Sequence, residues 1–210
     1  MTAPRVAAIY ADESCLGNGR EGENPGGAGG IIEVARGTSG EIVRCDYWLS
    51  EPASTNNRMA LRSAIEALHI LSAKRNRFAI RFTSDSRYLV DGMTSWVMDW
   101  IPRGWRRKGG SIENLLLWQE LVDLARPHHV YWRWVRGHAG HPQNEYANML
   151  AMRAAAEQST SAGAVPSGFD DWLRDRRARG AKTLEPDPFP RPEELPPPRL
   201  LPVDSRASLL

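Results

Sequence analysis

The sequence predicts an α/β protein with a mixed sheet covered by helices. Three observations support this: short apolar runs of strand length, apolar residues at helical spacing between the later runs, and an element order of three strands, helix, strand, several helices, strand, helix. The first run, Arg5 to Ala11, ends at Asp12, and Gly17 to Gly30 is glycine-rich enough to read as a loop. Gly30–Arg36 and Glu41–Leu49 follow as strands, with Gly37-Thr38-Ser39-Gly40 as a hairpin connection, which makes the first three strands antiparallel. Thr55-Asn56-Asn57 caps a helix in which Leu61, Ile65, Leu68 and Leu71 recur at helical spacing up to Lys74. A fourth strand, Phe78–Thr83, stops at Ser84-Asp85-Ser86. A short helix from Arg87 to Gly92, a tryptophan-bearing segment through Trp105 and a helix from Ile112 to Ala125 lead to a fifth strand, Val130–Val135. The last helix runs from about Pro142, a residue suited to a first helical position, to Glu157.

With 210 residues, 41% hydrophobic and 25% charged, the chain is composed like one ordinary globular domain. A net charge of +2 announces no nucleic-acid binder in bulk, so a basic surface must come from local clustering, as between Arg103 and Lys108. Cys15 and Cys45 form neither a ligand pair nor a disulfide framework, the apolar start is too short for a signal peptide, and no segment reaches membrane-spanning length. A cytoplasmic protein without membrane partners is expected. The composition changes after Gln158: nine of the fifteen prolines fall between Pro166 and Pro202. The expected organisation is a domain over 1–158 and a proline-rich tail over 159–210. That tail is read as extended or disordered, with a short helix near 169–179 where Phe169, Trp172 and Leu173 share a face. A solvated linker is its expected role, and docking of a protein partner is the alternative.

Taken together, ADESCLGN, STNNRMAL, TSDSRYLVDGMTSWV, RGWRRKG, LLLWQELV and WRWVRGHAGHPQNE resemble the type 1 ribonuclease H family in order and spacing, over about Val6 to Ala156. The resemblance implies the ribonuclease H-like fold, a five-stranded mixed sheet flanked by helices. It also implies hydrolysis of the RNA strand of an RNA/DNA hybrid by two divalent metals, Mg2+ or Mn2+, that activate a water and stabilise the leaving oxygen. Four carboxylates are required, and the family positions fall on Asp12, Ala60, Asp85 and Asn148, two of which are not acids. Two dications about 4 Å apart repel by roughly 17 kcal/mol at an effective dielectric of about 20. Asp12 and Asp85, helped by the neutral Asn148 carbonyl, are therefore expected to hold metal weakly if at all. Glu66 lies round the helix from Ala60, and Glu13, on a continuing strand, is expected to point away from Asp12, so neither replaces the missing acid.

By the same resemblance, His138 is the loop histidine that assists proton transfer or product release, a role suited to a residue type that titrates near neutrality. His141 is expected to be structural. Trp96, Trp100 and Trp105 with Arg103, Arg106, Arg107 and Lys108 form a basic protrusion against the DNA strand, although Trp96 and Trp100 read equally well as core. Thr55, Asn56 and Arg87 are expected at backbone phosphates, and Asn18 and Asn57 at RNA 2′-hydroxyls. Two departures bear on substrate fit: a long loop from Asn18 to Pro25, and Glu13 where the family usually has glycine. The expectation is a hybrid-binding protein whose cleavage is impaired or lost. The alternatives are an active enzyme with a reduced metal site, a deliberately inactivated one, or an adaptor acting through its tail.

Overall fold

Six strands pair in the order β5-β4-β1-β2-β3-β6 in the computed structural model, which describes residues 5–17, 24–36, 40–73, 76–180, 185–197 and 199–203. They are β1 (Arg5–Cys15), β2 (Gly26–Arg36), β3 (Glu41–Glu51), β4 (Phe78–Ser84), β5 (His129–Trp134) and β6 (Val165–Pro166). The helices are α1 (Asn56–Ser72), α2 (Arg87–Asp91), α3 (Val97–Trp100), α4 (Leu115–Ala125), α5 (Pro142–Glu157) and α6 (Phe169–Ala178). β1, β2 and β3 are antiparallel neighbours, whereas β4 runs parallel to both β1 and β5. The sheet is thus mixed as expected, but it has six strands where five were predicted. The sixth is a two-residue strand from beyond Gln158 that pairs with Cys45 and Asp46.

Alternation along β1 sorts the two cores. Ala7, Ile9 and Ala11 face one side with Ile32, Ile80 and Phe82, where Leu61, Ile65 and Leu68 of α1 and Trp118, Leu121 and Val122 of α4 cover them. Ala8 and Tyr10 face the other side with Ile31, covered by Tyr146 and Leu150 of α5 and by Phe169 and Leu173 of α6. Thr55 caps α1 as predicted, its hydroxyl accepting from the Arg58 amide at 3.2 Å. The helix α4 starts at Leu115 rather than Ile112, because Asn114 before it is left-handed at φ 55°.

The reading of Gly17–Gly30 as one loop is corrected: Gly26 to Gly30 belong to β2. These glycines answer a packing demand, not a turn. A Cβ on Gly27 would lie 2.1 Å from the Ala151 carbonyl oxygen and 2.4 Å from the Ala155 nitrogen, and one on Gly29 would lie 2.6 Å from Leu150 Cβ. They let α5 lie directly on the strand. Gly27→Ala is therefore expected to destabilise the protein by about 1–3 kcal/mol through overpacking, read by urea unfolding. A change under about 0.5 kcal/mol would count against this account of β2.

The described part of the chain after Gln158 lies against the domain. The buried Asp46 carboxylate accepts from the Tyr146 hydroxyl at 2.5 Å and from the Gly168 amide at 3.1 Å, which anchors the start of α6. Further on, Arg81 donates to the Pro188 carbonyl at 2.7 Å, Arg199 to the Thr94 carbonyl at 2.7 Å, and Arg126 to the Pro202 carbonyl at 2.9 Å. Proline fits such a path because it needs no ladder hydrogen bond. Among the described residues no helix is long and apolar enough to cross a membrane. Asn18, most of the loop that follows it, Lys74 and the turn residues Gly37 to Ser39 lie outside the described residues.

Candidate active site

β1 outruns its neighbour. Its last pair with β4 is Ala11 with Ser84, while its pairing with β2 continues to Cys15. Past Ala11 one edge of β1 is therefore open, and Asp85, the residue after β4, lies beside the opening. Asp12 leaves the strand on the α5 side and Glu13 on the α1 side, as alternation requires. Both nevertheless converge on Asp85: one carboxylate oxygen from each of Asp12, Glu13 and Asp85 lies within 4.8 Å of the others. The expectation that Glu13 points away from Asp12 is corrected on this geometry. The alternation holds, but no strand stands between the two side chains, and the long glutamate arm comes round the open edge. Ala60 is a buried methyl in the core with Ala11 and Tyr47.

The helix α5 contributes Asn144. Its amide nitrogen donates to Asp12 Oδ2 at 3.0 Å. Asp12 Oδ1 accepts from the Glu13 amide at 2.7 Å. Asn148, where the resemblance puts the fourth ligand, lies one turn further along, half-buried, with its amide nitrogen 3.6 Å from Met152 Sδ. It lines a groove of about 410 Å³ with His138, Met149, Trp172 and Arg176. Asn144 and Glu13 are thus the residues that sequence reasoning missed. The signal for Asn144 was its position four residues before Asn148, on the same helix face.

Burial, and then the charge of Asp85, push the Asp12 carboxyl far above the ordinary carboxylate range. Glu13 is also raised well above the ordinary range, through burial first and then the charges of Asp12 and Asp85, against a hydrogen bond from Ser86. Burial raises Asp85 too, opposed by its own backbone amide, by Asn144 and by the charge of His138. Three clustered, desolvated acids suit a site that takes up positive charge. Their formal charge of −3, together with the oxygen-only donor set, fits hard divalent cations. The residues present therefore fit the metals implied by the resemblance better than Asp12 and Asp85 alone would.

The rim follows from the same segments. His138 is exposed at φ 52°, and Gly137 before it passes so close to Asp85 that a Cβ there would lie 2.1 Å from Oδ2. Trp134 donates its indole N–H to the Asp85 carbonyl at 2.9 Å, and the Arg87 guanidinium sits 4.0 Å from the Trp134 ring centroid. Trp105 is buried, and Trp96 and Trp100 are half-buried around Trp118, with ring centroids 6.2 and 5.8 Å from it. The tryptophans thus pack the base of the basic segment, while Arg103, Arg106, Arg107 and Lys108 are exposed. Thr55, Asn56 and Asn57 form the start of α1, where the Thr55 hydroxyl serves as the cap.

The acid cluster at the open end of the mixed sheet, beside the loop of His138, is a donor set of the kind that can hold a metal ion. The chain matches the RNase H family over residues 4–156. It is 43% identical over 150 residues to "Ribonuclease H" of Pelobacter propionicus, covering 71% of this chain and 84% of that one. It is 40% identical over 159 residues to "Ribonuclease HI" of Pseudomonas aeruginosa, covering 75% and 98%. Among solved structures it is similar to LC9-RNase H1, described as a type 1 RNase H with the type 2 active-site motif. The TM-score is 0.89 at 56% identity, covering 98% of this chain and 97% of that one. The chain belongs to the ribonuclease H family.

Proposed function

We propose that this protein is an active ribonuclease H that cleaves the RNA strand of RNA/DNA hybrids, with Asp12, Glu13 and Asp85 as the residues that hold Mg2+ or Mn2+. The observation that carries this reading is the approach of the three carboxylates to within 4.8 Å, which replaces the acid missing at Ala60 with one from β1. It replaces the expectation of an impaired enzyme. The 56% identity to a type 1 RNase H described as having a different active-site motif supports the same reading. Metal bound here would activate the attacking water and stabilise the leaving oxygen.

The remaining roles belong to the chain's own groups. Asn144 orients Asp12 through its amide. His138, exposed on the loop beside Asp85, is placed to exchange a proton with the scissile region. Arg87 over Trp134 offers a charge and a flat ring at the rim, suited to a phosphate and its sugar. Arg103, Arg106, Arg107 and Lys108 are assigned to the phosphates of the DNA strand, and Thr55, Asn56 and Asn57 to the backbone and hydroxyls of the RNA strand. The unpaired thiols of Cys15 and Cys45 accord with work in a reducing cytoplasm.

The test is incubation of labelled RNA/DNA hybrid with purified protein and Mg2+ or Mn2+, beside Asp85→Asn protein prepared identically. Metal-dependent scission confined to the RNA strand, and absent with Asp85→Asn, is expected. Equal scission by both preparations, or none by either, would end the proposal.

A further inference from the structure

The loop carrying His138 is tied down on two sides by residues that lie beyond the matched family region. His138 is exposed and holds a left-handed backbone at φ 52°, uncommon for a residue with a Cβ. On one side the Gly140 amide donates to Glu145 Oε1 at 3.0 Å. The other oxygen of that carboxylate accepts from Arg176 of α6 at 2.7 Å. On the other side His141 caps α5, its Nδ1 accepting from the Asn144 amide at 3.4 Å. Its Nε2 lies 3.2 Å from Asp187 Oδ2 and 3.1 Å from the Arg133 guanidinium. Arg133 donates to the same carboxylate oxygen. The Asp187 backbone and the Gln143 side chain also exchange two hydrogen bonds, of 3.0 and 3.1 Å.

We infer that Arg176 and Asp187 are positioning residues for the cleavage reaction, holding the His138 loop and the start of α5 in their working geometry from the C-terminal segment. Neither touches the acid cluster. Arg176 acts through Glu145 on Gly140, two residues from His138. Asp187 acts through His141 and Gln143 on the first turn of the helix that presents Asn144 to Asp12. Both ties are charge-assisted, and they meet Gly140 and His141, the last two residues of the loop Gly137–His141, so the segment serves as a clamp rather than a covering. A displacement of about 1 Å at a proton-transfer group can reduce rate about a hundredfold, so holding this loop is a kinetic requirement.

The inference rests on the proposed activity, and its test separates the two. Full-length Arg176→Ala, Asp187→Asn and the double variant are compared with the unaltered chain for kcat and KM on hybrid, thermal melting, and hydrogen exchange at the Gly140 amide. Each single change is expected to lower kcat about tenfold and the pair about a hundredfold, with KM within about twofold and faster exchange at Gly140 in the Arg176 variants. Arg176→Lys, which keeps the charge, is expected to recover part of the loss. Unchanged kcat, or a loss that merely tracks the unfolded fraction with Gly140 exchange unmoved, would overturn the clamp. If the unaltered chain does not cleave hybrid, the activity fails, and exchange at Gly140 still judges whether Arg176 restrains the loop.

Discussion

Glu13→Gln is expected to lower metal-dependent cleavage by about two to three orders of magnitude, while hybrid affinity measured without metal stays within about twofold. A dication and a carboxylate about 4 Å apart attract by roughly 8 kcal/mol at an effective dielectric of about 20, and desolvation offsets much of that. A net loss of about 3–4 kcal/mol corresponds to the stated fall in rate. The formal count agrees: against two dications, three acids leave one unit of positive charge and two acids leave two. The metal-free protein should respond in the opposite sense. Burial holds the folded-state Glu13 carboxyl well above its ordinary range. Its contribution is therefore fully favourable only below the unfolded-state carboxylate range and is lost as pH rises toward the folded value. In EDTA at neutral pH, Glu13→Gln is thus expected to melt higher than the unaltered chain. If the variant cleaves at the full rate with Mg2+, Glu13 is not a ligand.

The second large effect concerns the segment after Gln158. Phe169→Ala is expected to destabilise the whole protein by about 3–5 kcal/mol, with a melting temperature lower by roughly 6–15 °C. Phe169 is fully buried, meets Tyr146 edge-on at 5.4 Å between centroids and stacks on Trp172 at 6.0 Å, while Arg44 lies over its ring at 5.7 Å. Removing it leaves a cavity between α6 and the helix that carries Asn144. If the segment behaved as a solvated linker, the change would stay within about 0.5 kcal/mol. Urea unfolding of the full chain separates these outcomes, and a single cooperative transition is expected because α6 and β1 share a core.

Much of the fold was legible because local signals agreed with the tertiary result. Pro142 and Glu157 bound α5 as read, and Thr55 caps α1. Reading failed where a residue answered a distant partner. Gly26 to Gly30 have turn-like composition, but they are strand, and α5 packs where Gly27 and Gly29 lack a Cβ. The proline-rich composition after Gln158 pointed to an extended segment around one short helix, yet it could not announce that Phe169 fills a core or that Asp187 meets Arg133 and His141.

At the site, Asp12, Asp85 and His138 were legible from motif spacing, and the structure brings them together. Glu13 was set aside by a correct rule applied to a strand assumed to have neighbours on both sides. That β4 stops at Ser84, opposite Ala11, is a property of register, which no local pattern in β1 encodes. The contact of Asn144 with Asp12 likewise depends on where α5 sits along the sheet. Spacing alone leaves Asn144 and Asn148 on one face.

Diffraction from crystals of the full chain soaked in Mn2+, read by the anomalous signal of the metal, bears most directly on the role of Glu13. The account predicts metal density in contact with the carboxylates of Asp12, Glu13 and Asp85. Metal seated on Asp12 and Asp85 with the Glu13 side chain turned away, or no metal at the cluster at any concentration, would contradict it.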